Sequence, residues 1–418
     1  MKETKAKKRH GAPFGLKNHS KKLSEKVKSH RKNNAHKKFN LFSKFKIFSL
    51  KSGIDLPFLF LVLTIVVIGL VMLFSASYPS AYYLHKGDSF YFIRKQLLFA
   101  VVGIIAMLAI SRIDYNYLHK WAVPILGVSF FLLLIVLVMP ANNGVHRWVQ
   151  LGSSFSFQAS EITKFAIVVS FAHFINLNFN RMGTFKYGIL PYLIILGPTV
   201  VLLALEPHIS CTVIVVLLAA GMLFIGGVKL KWFGMVLGAI ASALIYLVVF
   251  TDKLTYANNR ISGWLDPFSP SAGVDTWQTR QGLYAIGSGG IWGLGLGNSR
   301  QKYLYLPEPQ NDFIFSVVCE ELGFIGAIII LLLFAMLIWR GMIISMKAKD
   351  KFGSLLGIGL IAQVGLQVIL NIAVVTNTIP NTGISLPFFS YGGTSLLMLL
   401  AQMGIILSIS RTATLEKA

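Results

Sequence analysis

Long apolar stretches alternate with short polar ones from residue 56 to residue 411. A helix needs about 20 mostly apolar residues to cross the hydrocarbon core of a bilayer, and these stretches repeatedly approach that length. Glu206 and Pro207 divide the apolar run between 188 and 227 into two helices, because proline breaks the helical hydrogen-bond ladder. The pattern predicts an all-α polytopic membrane protein with about ten transmembrane helices, near 56–76, 96–111, 121–139, 161–177, 188–205, 209–227, 232–250, 313–340, 354–375 and 391–411.

The composition also indicates that lipid is the solvent for most of the chain. Of the 418 residues, 55% are hydrophobic and 13% are charged, and the mean hydropathy is +0.66. Soluble globular chains carry about 25% charged residues. Cys211 and Cys319 fall in or beside apolar stretches, so they indicate neither a disulfide framework nor a metal site.

Much of the net charge of +23 lies at the N-terminus, where residues 1–54 hold 17 of the 39 Lys and Arg and two acids. This segment has no apolar period, so we expect a disordered basic tail. Nucleic-acid binding is one interpretation of such a run. The favoured interpretation is a tail near anionic lipid headgroups, because a membrane span follows directly.

Basic residues in the short loops predict the orientation. Ten spans place both termini on one side, and the short loops of that side carry ten Lys and Arg, against four on the other side. The positive-inside rule then predicts cytoplasmic termini. The expected organisation is a tail at 1–54, a ten-helix membrane domain at 55–411 and a cytoplasmic C-terminal tail at 412–418.

The segment 251–312, between the seventh and eighth predicted helices, is a long loop that we expect on the extracytoplasmic face. Structureless loops longer than about 15 residues are usually functional or disordered. Disorder fits poorly here because Trp and Tyr residues are spread along the loop. They indicate packing on the membrane interface or over a cavity, and they include Trp264, Trp277, Tyr284, Trp292, Tyr303 and Tyr305.

Ionisable residues near membrane depth are costly and therefore candidates for function. Glu161 and Lys164 are spaced i, i+3 at a helix start, so they share a face and can form an ion pair. One interpretation is an ion pair that serves the fold alone. The other is an anion site in which Lys164 or Arg147 binds a phosphate group.

Two further stretches have structural alternatives. His208 lies in the Glu206-Pro207-His208 turn, where a simple interfacial residue is favoured over a base. The segment 287–297 has six glycines in eleven residues but matches neither common nucleotide-binding loop. Glycine permits close backbone approach, so the segment could pack a substrate or form a tight turn without a ligand.

Asp312 is the strongest candidate, because it stands where the long loop meets the apolar run that begins at Phe313. A helix N-cap is the structural alternative, and backbone N–H bonds to the carboxylate would then lower its pKa. Burial beside Phe313, Phe315 and Tyr305 would raise the pKa. The sequence leaves this balance open.

Eight stretches together resemble the SEDS family (shape, elongation, division and sporulation), in family order over about residues 55–411. They are 74–77 (FSAS), 147–148 (RW), 158–164 (QASEITK), 287–290 (GSGG), 306–308 (LPE), 311–315 (NDFIF), 320–323 (EELG) and 382–393 (TGISLPFFSYGG). Residues 295–302 are more similar to the cell-division branch, FtsW, than to the elongation branch, RodA. The chain departs from the family pattern at 206–210 and at 310–311.

The resemblance implies a ten-helix fold and a glycosyltransferase that polymerises lipid II into peptidoglycan. It implies that the functional aspartate is Asp312 and that the motif Glu/Lys pair is Glu161 and Lys164. It further implies as partners a class B penicillin-binding protein, which is a transpeptidase, and other division proteins. No nucleic acid is expected. No cofactor is certain, although a divalent cation could share in binding pyrophosphate.

The reaction needs a base on the acceptor hydroxyl and positive charge on the departing pyrophosphate. We expect Asp312 as the base, and Arg147, Lys164, Arg260 and Lys302 as candidates to bind the pyrophosphate through charge-assisted hydrogen bonds. Ser390, in the 382–393 motif, is a further candidate for substrate binding. The alternatives are a lipid II flippase, which would form no polymer, and a non-enzymatic division scaffold that recruits a transpeptidase.

Overall fold

The described part of the chain is almost entirely helical. The computed structural model describes residues 53–139, 147–151, 155–236, 238, 262–268 and 276–413. Its helices are α1 (Leu56–Leu84), α2 (Tyr91–Ile110), α3 (Asn116–Val138), α4 (Ala159–Asn178), α5 (Phe185–Gly188), α6 (Leu190–Leu205), α7 (Ile209–Ile225), α8 (Trp277–Gly289), α9 (Ile314–Met346), α10 (Lys351–Val375) and α11 (Gly393–Thr412), with a 3₁₀ turn at Phe179–Arg181. Two short antiparallel strands, β1 (Trp148–Leu151) and β2 (Phe155–Gln158), precede α4.

Within these residues, nine of the ten predicted spans correspond to helices, which confirms an all-helical membrane protein. Seven of the described helices are long and apolar enough to cross a membrane, and α6 and α7 are shorter apolar helices. The predicted span 232–250 lies mostly outside the described residues, as do most of the tails at 1–54 and 412–418 and part of the 251–312 loop. The count of ten spans, the position of that loop and the side of the termini stay predictions.

Several helices begin or end well beyond their predicted bounds, among them α9, which ends at Met346 rather than near 340. The helix α1 continues to Leu84 because Ser75, Ser77 and Ser80 are buried against neighbouring segments rather than exposed to lipid. The helix α2 begins at Tyr91, five residues before the predicted span, and Phe92 in its first turn is buried. Protein contacts stabilise these additional helical turns, and because the turns contain polar or aromatic residues, hydropathy alone does not predict them.

Helices α10 and α11 form the interior of the bundle. In each of them, 67% of the apolar window is buried, against 22% in α2. The outer face of α2 exposes Leu98, Val101 and Ile105, as expected for a surface in contact with lipid. The side chains of the two interior helices therefore contact mainly protein, whereas those on the outer face of α2 contact lipid.

A kink at Gly323 divides α9, which at 33 residues is about 50 Å long and exceeds the thickness of the bilayer core. The kink frees the carbonyl groups of Glu320 and Glu321 from the helical ladder. Leu294 N–H donates to the first at 2.9 Å, and Gly295 N–H donates to the second at 3.0 Å. The freed Phe324 and Ile325 N–H groups donate to the carbonyls of residues 290 and 291 at 2.9 and 3.2 Å.

Glycine is required in this contact because the two backbones touch. A Cβ atom at Gly289 would lie 2.0 Å from the Cys319 carbonyl oxygen, and one at Gly293 would lie 2.2 Å from the Glu321 carbonyl oxygen. Gly293 and Gly323 also have positive φ angles of 80° and 67°. The glycine-rich segment therefore forms a tight structure against the kink of α9.

The side chains of Glu320 and Glu321 face the same loop. The Lys302 ammonium donates to the Glu321 carboxylate at 2.8 Å, to Ser75 Oγ at 3.1 Å and to the Gly297 carbonyl at 2.7 Å. Ser75 Oγ also donates to Glu321 at 2.7 Å. Lys302 and Glu321 have 2% and 0% exposed side chains, so this buried ion pair joins the loop to α1 and α9.

At the far end of α9, a second ion pair joins α9 to α1. The Arg340 guanidinium donates to both oxygens of Asp55, at 3.1 and 2.6 Å. Asp55 also caps the N-terminus of α1 by accepting from Phe58 N–H at 2.9 Å, and its own N–H donates to Ser410 Oγ of α11 at 3.1 Å. Through its carboxylate and its backbone N–H, Asp55 thus connects three helices.

We predict that Lys302→Met lowers the free energy of unfolding by about 3–5 kcal/mol, because it leaves the Glu321 carboxylate buried without its cation. Thermal melting of the detergent-solubilised protein measures the change. Arg94→Met is the matched control, since the Arg94–Asp88 pair is exposed and should contribute about 0–1 kcal/mol. Equal melting temperatures for the two variants would contradict a structural role for the Lys302–Glu321 pair.

Candidate functional site

A cavity of about 500 Å³ opens where several of the predicted functional residues meet. Its walls come from the starts of α2, α4 and α7, the β-hairpin, the segment before α9, one turn of α10 and the connection between α10 and α11. The charged and histidine side chains that line it are Lys95, Arg147, Glu161, Lys164, His208, Glu308 and Asp312. Asp312, Arg147, Glu161 and Lys164 are therefore brought together.

The ion pair between Glu161 and Lys164, which the i, i+3 spacing predicts, is present. The ammonium lies 2.8 Å from Glu161 Oε1, and the two side chains are 8% and 3% exposed. The β-hairpin fixes this turn in space, because Trp148 pairs with Gln158 directly before α4 begins. The pair lines the cavity, which is compatible with both the structural and the anion-binding alternatives.

The turn between α6 and α7 forms another part of the wall. The Arg147 guanidinium donates to the Pro207 carbonyl, and His208 Nε2 lies 3.4 Å from Gln158 Nε2. His208, for which a simple interfacial role is favoured from sequence, is 8% exposed and lines the cavity, and its role stays a prediction. The β-hairpin covers this turn, and that long-range contact has no local sequence signal.

Burial sets the charges of this turn. Burial and, to a smaller extent, the nearby Arg147 and Lys164 cations together lower the pKa of His208 to about 3. Burial raises the pKa of Glu206, and after the opposing effect of Arg147 the value is about 8. Both side chains are therefore mainly uncharged near neutral pH, and they do not neutralise the cations of the cavity.

Asp312 stands directly before α9 and faces the cavity. The N-cap residue of α9 is Phe313, so Asp312 does not cap the helix. Its pKa is raised to about 6, first by burial and then by the Glu308 carboxylate, while Arg147 lowers it. The sequence leaves open whether capping lowers this pKa or burial raises it, and in the structure burial raises it.

The connection between α10 and α11 lies against the Asp312 carboxylate. Gly383 has a φ of 69°, and a Cβ atom at this position would lie 2.9 Å from Asp312 Oδ2. Ser210 Oγ donates to the neighbouring Thr382 carbonyl, which fixes the connection to the start of α7. The carboxylate is thus confined by backbone on one side and open to the cavity on the other.

Two other predicted site residues that the structure describes are not in the cavity wall. Lys302 is held in the buried ion pair with Glu321. Ser390 lines a smaller adjoining cavity of about 20 Å³, and its hydroxyl accepts from Leu386 N–H and donates to the Asn311 carbonyl, both at 2.8 Å. Arg260 lies outside the described residues. Their substrate-binding roles stay predictions, and the contacts of Lys302 and Ser390 favour structural roles.

Lys95, His208 and Tyr391 line the cavity but are absent from the predicted site. The place of Lys95 at the start of an apolar run marks it as a cation at the membrane boundary, which was the available signal for it. Its ammonium donates to Tyr91 Oη at 2.7 Å. Tyr391 falls within the motif 382–393, which was the available signal for it.

The described residues contain no group of three or more His, Cys, Asp or Glu side chains arranged to hold a metal ion. A divalent cation at this site therefore stays a suggestion from the chemistry of pyrophosphate.

Comparison with known proteins gives a consistent result along nearly the whole chain. The family described as "Cell cycle protein" (FTSW_RODA_SPOVE) matches residues 56–415. The chain is 40% identical to stage V sporulation protein E of Bacillus subtilis, over 86% of this chain and 98% of that protein. It is 39% identical to the probable peptidoglycan glycosyltransferase FtsW of Trichlorobacter lovleyi, over 85% of this chain and 93% of that one.

Solved structures show the same fold. A chain from a peptidoglycan synthase complex, described for its coordination of polymerization and crosslinking, has a TM-score of 0.71 and 26% identity and covers 87% of this chain and 99% of its own. The rod shape determining protein RodA of Thermus thermophilus has a TM-score of 0.62 and 25% identity, over 87% and 98%.

We predict that the Asp312 carboxyl titrates with a midpoint near pH 6 in the folded protein. Infrared difference spectra between the natural chain and Asp312→Asn, recorded against pH, isolate this group from other carboxyls. Arg147→Gln should raise the midpoint, because it removes the cation that favours the charged form. Arg94→Gln, at an exposed arginine, should leave the midpoint in place. A midpoint near 4 in the natural chain would contradict the proposed burial effect.

Proposed function

Because the chain belongs to the FtsW/RodA/SpoVE family of cell cycle proteins, we propose that it is a peptidoglycan glycosyltransferase that polymerises lipid II during cell division. One observation from the structure carries the proposal. A single cavity brings the carboxylate of Asp312 together with the cationic groups of Arg147 and Lys164. This is the combination that glycosyl transfer from a lipid pyrophosphate requires.

The reaction forms a bond between the acceptor hydroxyl oxygen and the anomeric carbon of the donor sugar. The bond from that carbon to the pyrophosphate oxygen breaks, and the hydroxyl proton passes to Asp312. General-base catalysis typically contributes about 10²–10⁴-fold, which corresponds to roughly 3–5 kcal/mol of barrier. A base with a pKa of about 6 is mostly ionised at neutral pH and accepts a proton more readily than an ordinary aspartate.

The departing pyrophosphate needs positive charge, which we assign to Arg147 and Lys164. Both line the cavity, and Arg147 is near enough to Asp312 to lower its pKa. Glu161 holds the Lys164 ammonium at the cavity wall before substrate arrives. Such preorganisation avoids the cost of moving a charge when the leaving group departs.

We place the cavity on the extracytoplasmic face of the cell membrane, where newly polymerised glycan would be released. The support is the distribution of Lys and Arg in the short loops, which puts the termini in the cytoplasm. The lipid tail of the substrate would lie between helices, so that the pyrophosphate and sugars reach the cavity.

A transpeptidase partner, a class B penicillin-binding protein, completes the proposal. The fold is shared with a chain of a solved peptidoglycan synthase complex that couples polymerization to crosslinking. We also propose interaction with other division proteins, which the match to a family described as "Cell cycle protein" supports. Polymerisation by the purified protein, with and without its transpeptidase, tests whether the partner is required.

We predict that Asp312→Asn abolishes polymer formation from purified lipid II while membrane insertion stays normal, because the amide cannot accept the proton. In the natural chain kcat/KM should rise as the pH increases through about 6, since only the ionised carboxylate is a base. Glu308→Gln is the control: it should keep activity and move the midpoint down, because Glu308 raises the pKa of Asp312. Near-normal polymer from Asp312→Asn would exclude Asp312 as the base.

Lys164→Ala separates the structural role of the ion pair from its binding role. Without the ammonium, Glu161 is buried and unpaired, so the melting temperature should fall. Lipid II at a hundredfold excess over Kd should stabilise the natural chain by about 2.7 kcal/mol and so raise its melting temperature. We expect Lys164→Ala to lose most of that increase, whereas Lys302→Met should be destabilised but keep it. An undiminished increase in Lys164→Ala would remove Lys164 from the substrate site.

A further inference from the structure

Three consecutive backbone carbonyls before α9 are held by residues from the end of α10 and from the α10–α11 connection. The Gln310 carbonyl accepts from Tyr391 N–H at 2.8 Å. The Asn311 carbonyl accepts from Ser390 Oγ at 2.8 Å. The Asp312 carbonyl accepts from Asn371 Nδ2 at 2.8 Å. We call this set of three bonds the carbonyl strap.

The strap is needed because α9 does not use these carbonyls. Ser316 N–H, which an α-helix would direct to the Asp312 carbonyl, donates to the Phe313 carbonyl at 3.0 Å instead. A buried carbonyl without a donor destabilises a protein, and lipid offers no water to replace the donor. The donors come from segments about 60–80 residues away in sequence, so the position of Asp312 depends on α10 and on the connection that follows it.

Asn371 is the central donor of the strap. Its side chain is fully buried, and its amide nitrogen donates to the Asp312 carbonyl at 2.8 Å and to the Ile384 carbonyl at 2.6 Å. An amide nitrogen carries two hydrogens, and both are used here. Because both neighbours are carbonyl oxygens, only the nitrogen of the amide can face them.

These two bonds set the distance between Asp312 and the segment at 383–384. Gly383, beside Ile384, lies against the Asp312 carboxylate, where a Cβ atom would be 2.9 Å from Oδ2. A change in that distance therefore moves the carboxylate relative to the backbone that shields it. Catalytic geometry is sensitive to displacements of about 1 Å, which can cost 10²-fold in rate.

We propose that Asn371, together with Ser390, is a positioning residue that fixes Asp312 at the depth in the cavity where it acts on the acceptor hydroxyl. The inference rests on the proposed glycosyltransferase function. Asn371 does not line the cavity and contacts the backbone of Asp312, not the reacting groups. Ser390 acts in the same way through the adjacent carbonyl, and this role accounts for both hydrogen bonds of its hydroxyl.

The test measures polymerisation of lipid II by the full-length chain, with its transpeptidase partner, for Asn371→Leu. Leucine has a similar volume but no donor. We expect kcat to fall about 10–100-fold with a much smaller change in KM. We also expect the pH midpoint of kcat/KM to move down from about 6 towards the ordinary aspartate value of 3.8, since a carboxylate released from its shielded position is better solvated.

Gln363→Leu is the matched control, because Gln363 is another fully buried amide on α10, two helical turns earlier. It should keep the natural kcat and pH midpoint. If Asn371→Leu does not fold, Ser390→Ala decides the question, since it removes one bond of the strap and should shift the midpoint in the same direction by less.

The outcomes are distinguishable from failure of the proposed function itself. If the natural chain forms no polymer, the glycosyltransferase assignment fails. If it forms polymer while the folded variants keep the natural kcat and midpoint, the positioning role is overturned. The positioning role is also overturned if kcat falls only in proportion to the loss of folded protein and the pH midpoint is unchanged. That result would indicate a purely structural role.

Discussion

In a bundle surrounded by lipid, every polar backbone group that leaves a helix needs a partner within the protein, because hydrocarbon offers none. The kink of α9 at Gly323 creates four such groups, and the glycine-rich segment supplies a partner for each. That exchange explains the density of glycine in the segment. It also fixes the loop after α8 to the same helix that begins beside Asp312, so the kink and the candidate site belong to one rigid arrangement.

The same scarcity of water determines the charges around the cavity. Glu161, Lys164, Lys302 and Glu321 are charged side chains that are held in buried ion pairs. Glu206 and His208, which lack an opposite charge at that distance, are shifted towards their neutral forms. Asp312 lies between these cases: its pKa is raised, yet Arg147 keeps the ionised form accessible near neutral pH. Those conditions suit a base that must be ionised before reaction and able to hold a proton afterwards.

Local sequence patterns were sufficient for the helices and for contacts within one helix. The apolar runs predict nine helices of the described chain, and i, i+3 spacing predicts the Glu161–Lys164 pair. The burial of His208 and the pairing of Lys302 with Glu321 depend on segments 19 to 60 residues apart, for which periodicity carries no information. Lys302 is an example: from sequence it is a cation in a polar loop and therefore a candidate ligand-binding residue, whereas the structure shows its buried partner, Glu321.

Asp312 is restrained on both sides along the chain. Before it, the carbonyl strap joins residues 310–312 to α10 and the α10–α11 connection; after it, the kink at Gly323 joins α9 to the glycine-rich segment. The intervening residues form two turns of helix with fully buried Phe313 and Ile314, so little freedom remains for the carboxylate. A disturbance of the loop that holds Lys302 would therefore reach Asp312 through α9 without any contact with the cavity. This arrangement connects the 251–312 loop, whose Glu308 and Asp312 carboxylates both line the cavity, directly to the proposed chemistry.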